Sequence, residues 1–240
     1  MSCRIVLFSL HSSAQLNVNN LIQYTEADGL PGAQVNQILV DKLGYIWVGT
    51  INGLARFDGY EFKRYYYNPN DTATLHGLNV WSLFQDHNGQ IWIGSAPSFI
   101  NSYDPVTKAF RQYGFTHLIN HPANVEPGVM AFCEDNNGRL YFGVNTNHGE
   151  PIYSALLYKE KNEDTLKRFA SPDSIPIQNV LRITKDKTGN IWLLCYNGLF
   201  KIDTRGKIFI VHPRTIEEEF KKRITSSRQI FDLIRKGIFG

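Results

Sequence analysis

Four aspartates, Asp41, Asp86, Asp135 and Asp186, are the most regularly placed carboxylates in the chain, and carboxylates are the first groups to consider for acid–base chemistry. Each is followed three positions on by a glycine, Gly44, Gly89, Gly138 and Gly189. An aspartate so placed accepts a hydrogen bond from a backbone N–H two residues on, and glycine takes a positive φ at little cost, so these are turn formers rather than acid–base pairs. His76, His87, His117, His121 and His148 all fall in predicted loops, where a catalytic imidazole could sit, but no catalytic constellation stands out around them. Cys133 and Cys195 fall in predicted strands, where a buried free thiol is the commoner state and a disulfide the alternative. No Cys or His set has zinc spacing, and no metal or cofactor is expected. The chemistry that remains is binding. Trp81 stands where the other repeats carry Asn36, Met130 and Leu181, and Tyr66 and Tyr67 exceed their repeat pattern. These surplus aromatics are the candidate ligand contacts, with packing between repeats as the other role open to them.

The elements that must position these residues are written four times. The stretch Asp41-Lys-Leu-Gly44-Tyr-Ile46-Trp47-Val48-Gly49 returns at Asp86 to Gly94 with Trp92, at Asp135 to Gly143 with Tyr141, and at Asp186 to Leu194 with Trp192. The copies lie 45, 49 and 51 residues apart. After each turn, aliphatic residues alternate with the aromatic, so the strand has two apolar faces and both must be covered. Val35, Val80, Val129 and Val180 lie six residues before each Asp, and Ile38, Leu83, Phe132 and Ile183 three before it, which marks a first strand hairpinned to the second. A third strand follows at Gly53 to Asp58, Phe99 to Asp104, Leu156 to Tyr158 and Gly198 to Asp203, with an inserted loop, Asn145 to Ser154, in the third copy. A fourth reads as Phe62 to Tyr65, Phe110 to Tyr113, Leu166 to Phe169 and Ile208 to Val211.

Four-stranded antiparallel repeats of this length cannot bury both faces alone, and at this period they stack radially as the blades of a β-propeller. The expected fold is therefore all-β, four such blades over residues 17–213 in an open partial propeller. Leu21 to Tyr24 matches the fourth-strand pattern and predicts an outer strand without its own blade. From Thr215 the pattern turns helical: Thr215 and Glu218 form a capping box, and Ile216, Phe220 and Ile224 share a face. Asp232 and Gly237 also permit a degenerate fifth repeat, so residues 214–240 are read as a short amphipathic helix or a damaged blade.

Composition excludes several classes. A net charge of +3 with scattered Lys and Arg does not make a nucleic-acid groove. Residues 1–16 combine Arg4, the apolar run Ile5 to Leu10 and the small residues Ser12, Ser13 and Ala14, the pattern of a short signal peptide, and no other stretch approaches the ~18 apolar residues of a membrane span.

Residues 29 to 65 join Gly-Leu-Pro-Gly-Ala-Gln-Val, Asp-x-x-Gly-x-Ile-Trp-Val-Gly-Thr and Asn-Gly-Leu-Ala-Arg-Phe-Asp-Gly-Tyr-Glu-Phe, and this set resembles the two-component regulator propeller repeat. The resemblance runs from residue 21 to about residue 211, and weakens at Tyr141 and at Leu194, where the glycine is lost. It implies the periplasmic sensor region of a hybrid histidine kinase, exported, with its full-length parent anchored in the inner membrane and recognising glycan fragments. A seven-bladed ring at about 45 residues per blade needs roughly 315, so the chain is expected to be the N-terminal piece of such a sensor, or a gene fragment, without kinase output. The remaining propeller and kinase modules, an oligosaccharide and further copies of the exposed fragment are the partners that follow. An enzyme of the streptogramin-lyase type, a propeller with a similar Asp-x-x-Gly-x-x-Trp strand and a catalytic loop histidine, is the alternative; a scaffold propeller without a small ligand is another.

Overall fold

The computed structural model describes residues 22–146, 152, 155–171 and 177–213. The amphipathic stretch 214–240, the signal-like residues 1–16 and His148 lie outside these residues.

Four separate four-stranded antiparallel sheets follow one another along the chain, each in simple sequential order. Blade one holds β1 (Val35–Val40), β2 (Ile46–Thr50), β3 (Gly53–Phe57) and β4 (Phe62–Tyr65). Blade two holds β5 (Asn79–Gln85), β6 (Ile91–Ala96), β7 (Phe99–Asp104) and β8 (Ala109–Gly114). Blade three holds β9 (Gly128–Glu134), β10 (Leu140–Asn145), β11 (Leu156–Lys159) and the two-residue β12 (Lys167–Arg168). Blade four holds β13 (Val180–Lys185), β14 (Ile191–Cys195), β15 (Gly198–Ile202) and β16 (Ile208–Pro213). The first strands pack in succession, β1 on β5, β5 on β9 and β9 on β13, which is the radial stacking of a propeller left as an arc.

The aspartate turns are the hairpins between first and second strands. In blade one, Asp41 Oδ1 accepts from the backbone N–H groups of Leu43 at 2.9 Å and Tyr45 at 3.0 Å, and Gly44 closes the turn at φ +88°. Asp86, Asp135 and Asp186 accept in the same way from the N–H groups of Gln90, Arg139 and Asn190. The second carboxylate oxygen has a separate job. Asp41, Asp86 and Asp186 each accept from the indole N–H six residues on, at 2.8, 2.9 and 2.8 Å from Trp47, Trp92 and Trp192. One carboxylate therefore satisfies turn N–H groups that a hairpin leaves unpaired and the only polar atom of a buried indole. In blade three the aromatic is Tyr141, whose hydroxyl instead accepts from Arg139 at 3.4 Å.

Burial of those indoles is nearly complete, with Trp47 at 0%, Trp92 at 1% and Trp192 at 3% exposure. Trp47 stands between Tyr65 of its own blade and Tyr103 of the next, at centroid distances of 5.7 and 5.2 Å. The glycine that ends each motif is needed for space rather than for φ. A β-carbon on Gly49 would come 2.7 Å from Val80 Cγ1, one on Gly94 would strike Ser82 and Val129, and one on Gly143 would come 2.6 Å from Val180 Cγ1. The repeated valine of each following blade thus seats in the repeated glycine of the one before, and Val80, Val129 and Val180 are all fully buried. In blade four this position is Leu194.

Some expectations need correcting. Ile22 to Thr25 form no strand; Tyr24 instead rests its ring against Phe57 and Phe62, at 5.2 and 5.4 Å. A fourth strand needs the free edge of a third, and β4 already occupies the edge of β3. Leu21 lies outside the described residues. The inserted segment of blade three begins later than Asn145, which is the last residue of β10, and Ile152 within it is fully buried. Nor do the tryptophan-bearing strands show at the ends of the arc. The uncovered apolar side of blade one carries Ile38 and Val40, 59% and 63% exposed, while Trp192 is enclosed. Cys133 and Cys195 are free and buried, and burial pushes the Cys133 thiol up to about 12.

Candidate ligand cavity at the connection end of blade two

Antiparallel order sorts the connections onto two ends. The aspartate turns and the third-to-fourth-strand turns lie at one end, whereas second-to-third-strand turns and the blade-to-blade connections lie at the other. At this second end a cavity of about 490 Å3 opens between the β4–β5 connection, the start of β5, the Ala96-Pro97 turn and the β8–β9 connection. Ligand cavities form where loops converge on a rigid frame, and the volume lies in the range for small ligands.

Trp81 reaches the cavity through a β-bulge. The β5–β6 ladder pairs Val80 with Ser95 and Ser82 with Gly94, leaving Trp81 unpaired between them. The same one-residue bulge falls at Asn36, Met130 and Leu181 in the other blades. A bulge re-aims the extra side chain, so one position per blade is released from the alternation of the sheet. Trp81 is 9% exposed and packs on Gly128 of blade three, where a β-carbon would come 2.6 Å from Cε3. It therefore both packs between blades and lines the cavity.

Tyr67 lines the same cavity and Tyr66 does not. Successive residues of an extended chain point to opposite sides, and Tyr66 lies instead against Gly53 of blade one. Between Tyr67 and Phe99 stands His76, with ring centroids 4.6 and 3.4 Å away. The backbone of His76 is pinned: its N–H donates to Asn101 Oδ1 at 2.8 Å, and its carbonyl accepts from Asn101 Nδ2 at 3.0 Å and Ser95 Oγ at 2.6 Å. Its ring Nδ1 is buried without a partner among the described residues, and burial lowers its pKa, which keeps the imidazole neutral at pH 7. Asn79, Asn124 and Glu126 supply the polar lining, and Asn79 is steadied by Asn36 Nδ2 at 2.9 Å. None of these three was singled out by the sequence: Asn79 opens β5 at a position the repeat does not fix, and Asn124 and Glu126 sit in the connection between blades.

The other histidines are elsewhere. His87 bonds Glu134 across blades two and three at the aspartate-turn end, His117 lies in a short 3-10 turn, and His121 Nδ1 lies 2.9 Å from the Pro122 carbonyl oxygen. Among the described residues no group of three or more His, Cys, Asp or Glu is placed to hold a metal.

Comparison with known proteins agrees with this architecture. Residues 29–52 and 74–96 match the family described as two component regulator propeller. These stretches are two-component regulator propeller repeats. Over 74 residues, 30% of this chain, the sequence is 40% identical to histidine kinase P4 of Formosa agariphila, and the aligned stretch is 5% of that protein. The extracellular domain of the putative hybrid two component system BT4673 from B. thetaiotaomicron is 24% identical, with a TM-score of 0.54 over 72% of this chain and 22% of that one. A second structure, the extracellular domain of the putative one component system BT4673 from B. thetaiotaomicron, gives a TM-score of 0.57 at 23% identity over 74% of this chain and 22% of that one. A gluconolactonase from Xanthomonas campestris shares the fold at 14% identity, with a TM-score of 0.50 over 75% of this chain and 62% of that one. At these identities the structural likeness speaks for the fold. The chain spans about a fifth of the extracellular domains it resembles.

Proposed function

We propose that this chain is the ligand-recognising part of a hybrid two-component sensor, lying outside the cytoplasmic membrane and binding glycan fragments in the cavity of blade two. The observation that carries the reading is that Trp81 and Tyr67, aromatics in excess of the repeat pattern, line one cavity of about 490 Å3 together with the amides Asn79 and Asn124. Sugars present C–H faces that pack on aromatic rings and hydroxyls that need hydrogen-bond partners, and this lining offers both. The propeller repeats, the similarity to a stretch of a histidine kinase and the extracellular setting of the B. thetaiotaomicron domains support the sensor role and the location. Output belongs to a kinase and an anchor supplied by a longer protein.

Calorimetric titration of the chain with a panel of oligosaccharides tests the reading. Binding that is lost in Trp81→Ala, weakened in Tyr67→Ala and unchanged in Tyr66→Ala is expected, with melting temperatures measured alongside. Binding that survives Trp81→Ala in a folded protein would move the site elsewhere. His76 favours a second reading, a lyase, since a neutral imidazole held in a cavity can take a proton. Product formation that disappears in His76→Ala would establish that reading in place of sensing.

A further inference from the structure

The charge of the cavity is one-sided. Among the described residues that line it, Glu126 is the one that carries a full charge, and there is neither lysine nor arginine among them. Glu126 is exposed and, like Asn124 beside it, makes no hydrogen bond or ion pair among the described residues. The imidazole of His76 adds no positive charge near pH 7, because burial disfavours its cation. Carboxylate and sulfate ligands are ordinarily held by arginine forks, lysines or clustered backbone N–H groups. Here an acidic sugar would find a carboxylate with no cation beside it, and would lose hydration without a charged partner in exchange.

We infer that this cavity selects its ligand by charge, with Glu126 as the specificity-determining residue: it takes sugars bearing a free amine ahead of neutral ones and rejects acidic ones. This rests on the proposed glycan-binding role of the same cavity. Glu126 lies on the β8–β9 connection and lines the same cavity as the aromatic side chains of Tyr67, His76 and Trp81. A sugar ring stacked on those aromatics shares the cavity with Asn124 and Glu126, and an ammonium substituent that reaches Glu126 gains a charge-assisted hydrogen bond.

Three disaccharides of similar size separate the outcomes: a glucosamine dimer, its N-acetylated counterpart and a digalacturonate, each titrated at low salt against the chain and against Glu126→Gln. The glucosamine dimer is expected to bind more tightly than the acetylated sugar by up to about fivefold, the range for an ion pair open to solvent, and the digalacturonate more weakly than both. Glu126→Gln should erase the gap between the first two. Added salt should narrow the gap in the unsubstituted chain. Digalacturonate binding as tightly as the neutral sugar, or a gap that persists in Glu126→Gln, would overturn the charge inference and leave the binding role standing. Failure of all three, together with failure of the wider oligosaccharide panel, would overturn both.

Discussion

Val80 of blade two presses its methyl groups against the bare backbone of Gly49 in blade one, at a point where a β-carbon would come 2.7 Å from Cγ1. The pair is repeated between blades two and three by Gly94 and Val129, and between blades three and four by Gly143 and Val180. The distance between blades is therefore set by an absent side chain, and a single methyl group there should be felt across a whole interface.

Gly143→Ala is expected to destabilise the protein by about 1–3 kcal/mol, the cost of overpacking a filled interior. Alanine in place of Gly206, whose β-carbon would meet nothing within 4 Å but whose φ is +84°, provides a comparison in which backbone strain acts without crowding. Urea unfolding of the two variants side by side checks it; a smaller loss for Gly143→Ala than for Gly206→Ala would contradict the seat described here.

The indole-to-aspartate bond predicts an asymmetry between blades. Asp86→Asn weakens both the turn and the bond to Trp92, whereas Asp135→Asn weakens a turn that holds no indole. The loss at Asp86 should exceed that at Asp135 by about 1 kcal/mol, the usual net value of a buried hydrogen bond. Trp92→Ala, which empties the space between blades two and three, should cost about 3–5 kcal/mol. Equal midpoints for the two asparagine variants in thermal unfolding would remove the second role assigned to the carboxylate.

Acid should act through Asp186. Burial works to raise its carboxyl, but hydrogen bonds from Trp192, Asn190 and Thr188 outweigh burial and hold it well below the ordinary carboxylate range. With the folded value depressed, the unfolded chain binds the proton first as pH falls. The contribution is complete above the unfolded carboxylate value of about 4 and is lost as pH drops from there toward the folded value. Asp186→Asn should be less stable at pH 7 and should show a shallower loss of stability between pH 5 and pH 3. A variant curve parallel to that of the unsubstituted chain would exclude Asp186 as a source of acid sensitivity.

The open side of blade one predicts self-association. Ile38 and Val40 stand 59% and 63% exposed on a strand built to be covered, and an apolar sheet face of this kind draws in another surface. Residues 15–240 should sediment as more than a monomer, and the double substitution Ile38→Lys, Val40→Lys should shift the distribution toward monomer without lowering the melting temperature. A monodisperse monomer before substitution would show that this face is tolerated in water.

The strands and their hairpin order were legible because Asp-x-x-Gly and the alternation behind it recur with little variation at Asp41, Asp86, Asp135 and Asp186. The bulges were harder to read, although a signal was present. Val80 and Leu83 are three apart, which in a regular strand would place them on opposite faces, yet both lie in one core cluster. Val180 and Ile183 likewise both reach Gly143. An odd spacing between two buried residues of one strand is what an unpaired residue between them produces. The cavity was legible only in its aromatic wall. Trp81 and Tyr67 stand out against a repeat, whereas Asn79 opens β5 at a position the repeat does not fix, and Asn124 and Glu126 lie in a connection that has no pattern to depart from.

The two ends of each blade answer to different demands. Carboxylate turns and buried indole bonds hold the strands from one end, while Trp81, Tyr67, Asn124 and Glu126 gather at the other, three of them on connections between blades and one at a bulge. Substitutions in the connections leave the hairpin ladders intact, so the molecule has a separation between heritable frame and variable lip. Randomising positions 67, 124 and 126 should yield a library in which most members still fold, and from which binders of unrelated saccharides could be drawn without redesigning a single strand.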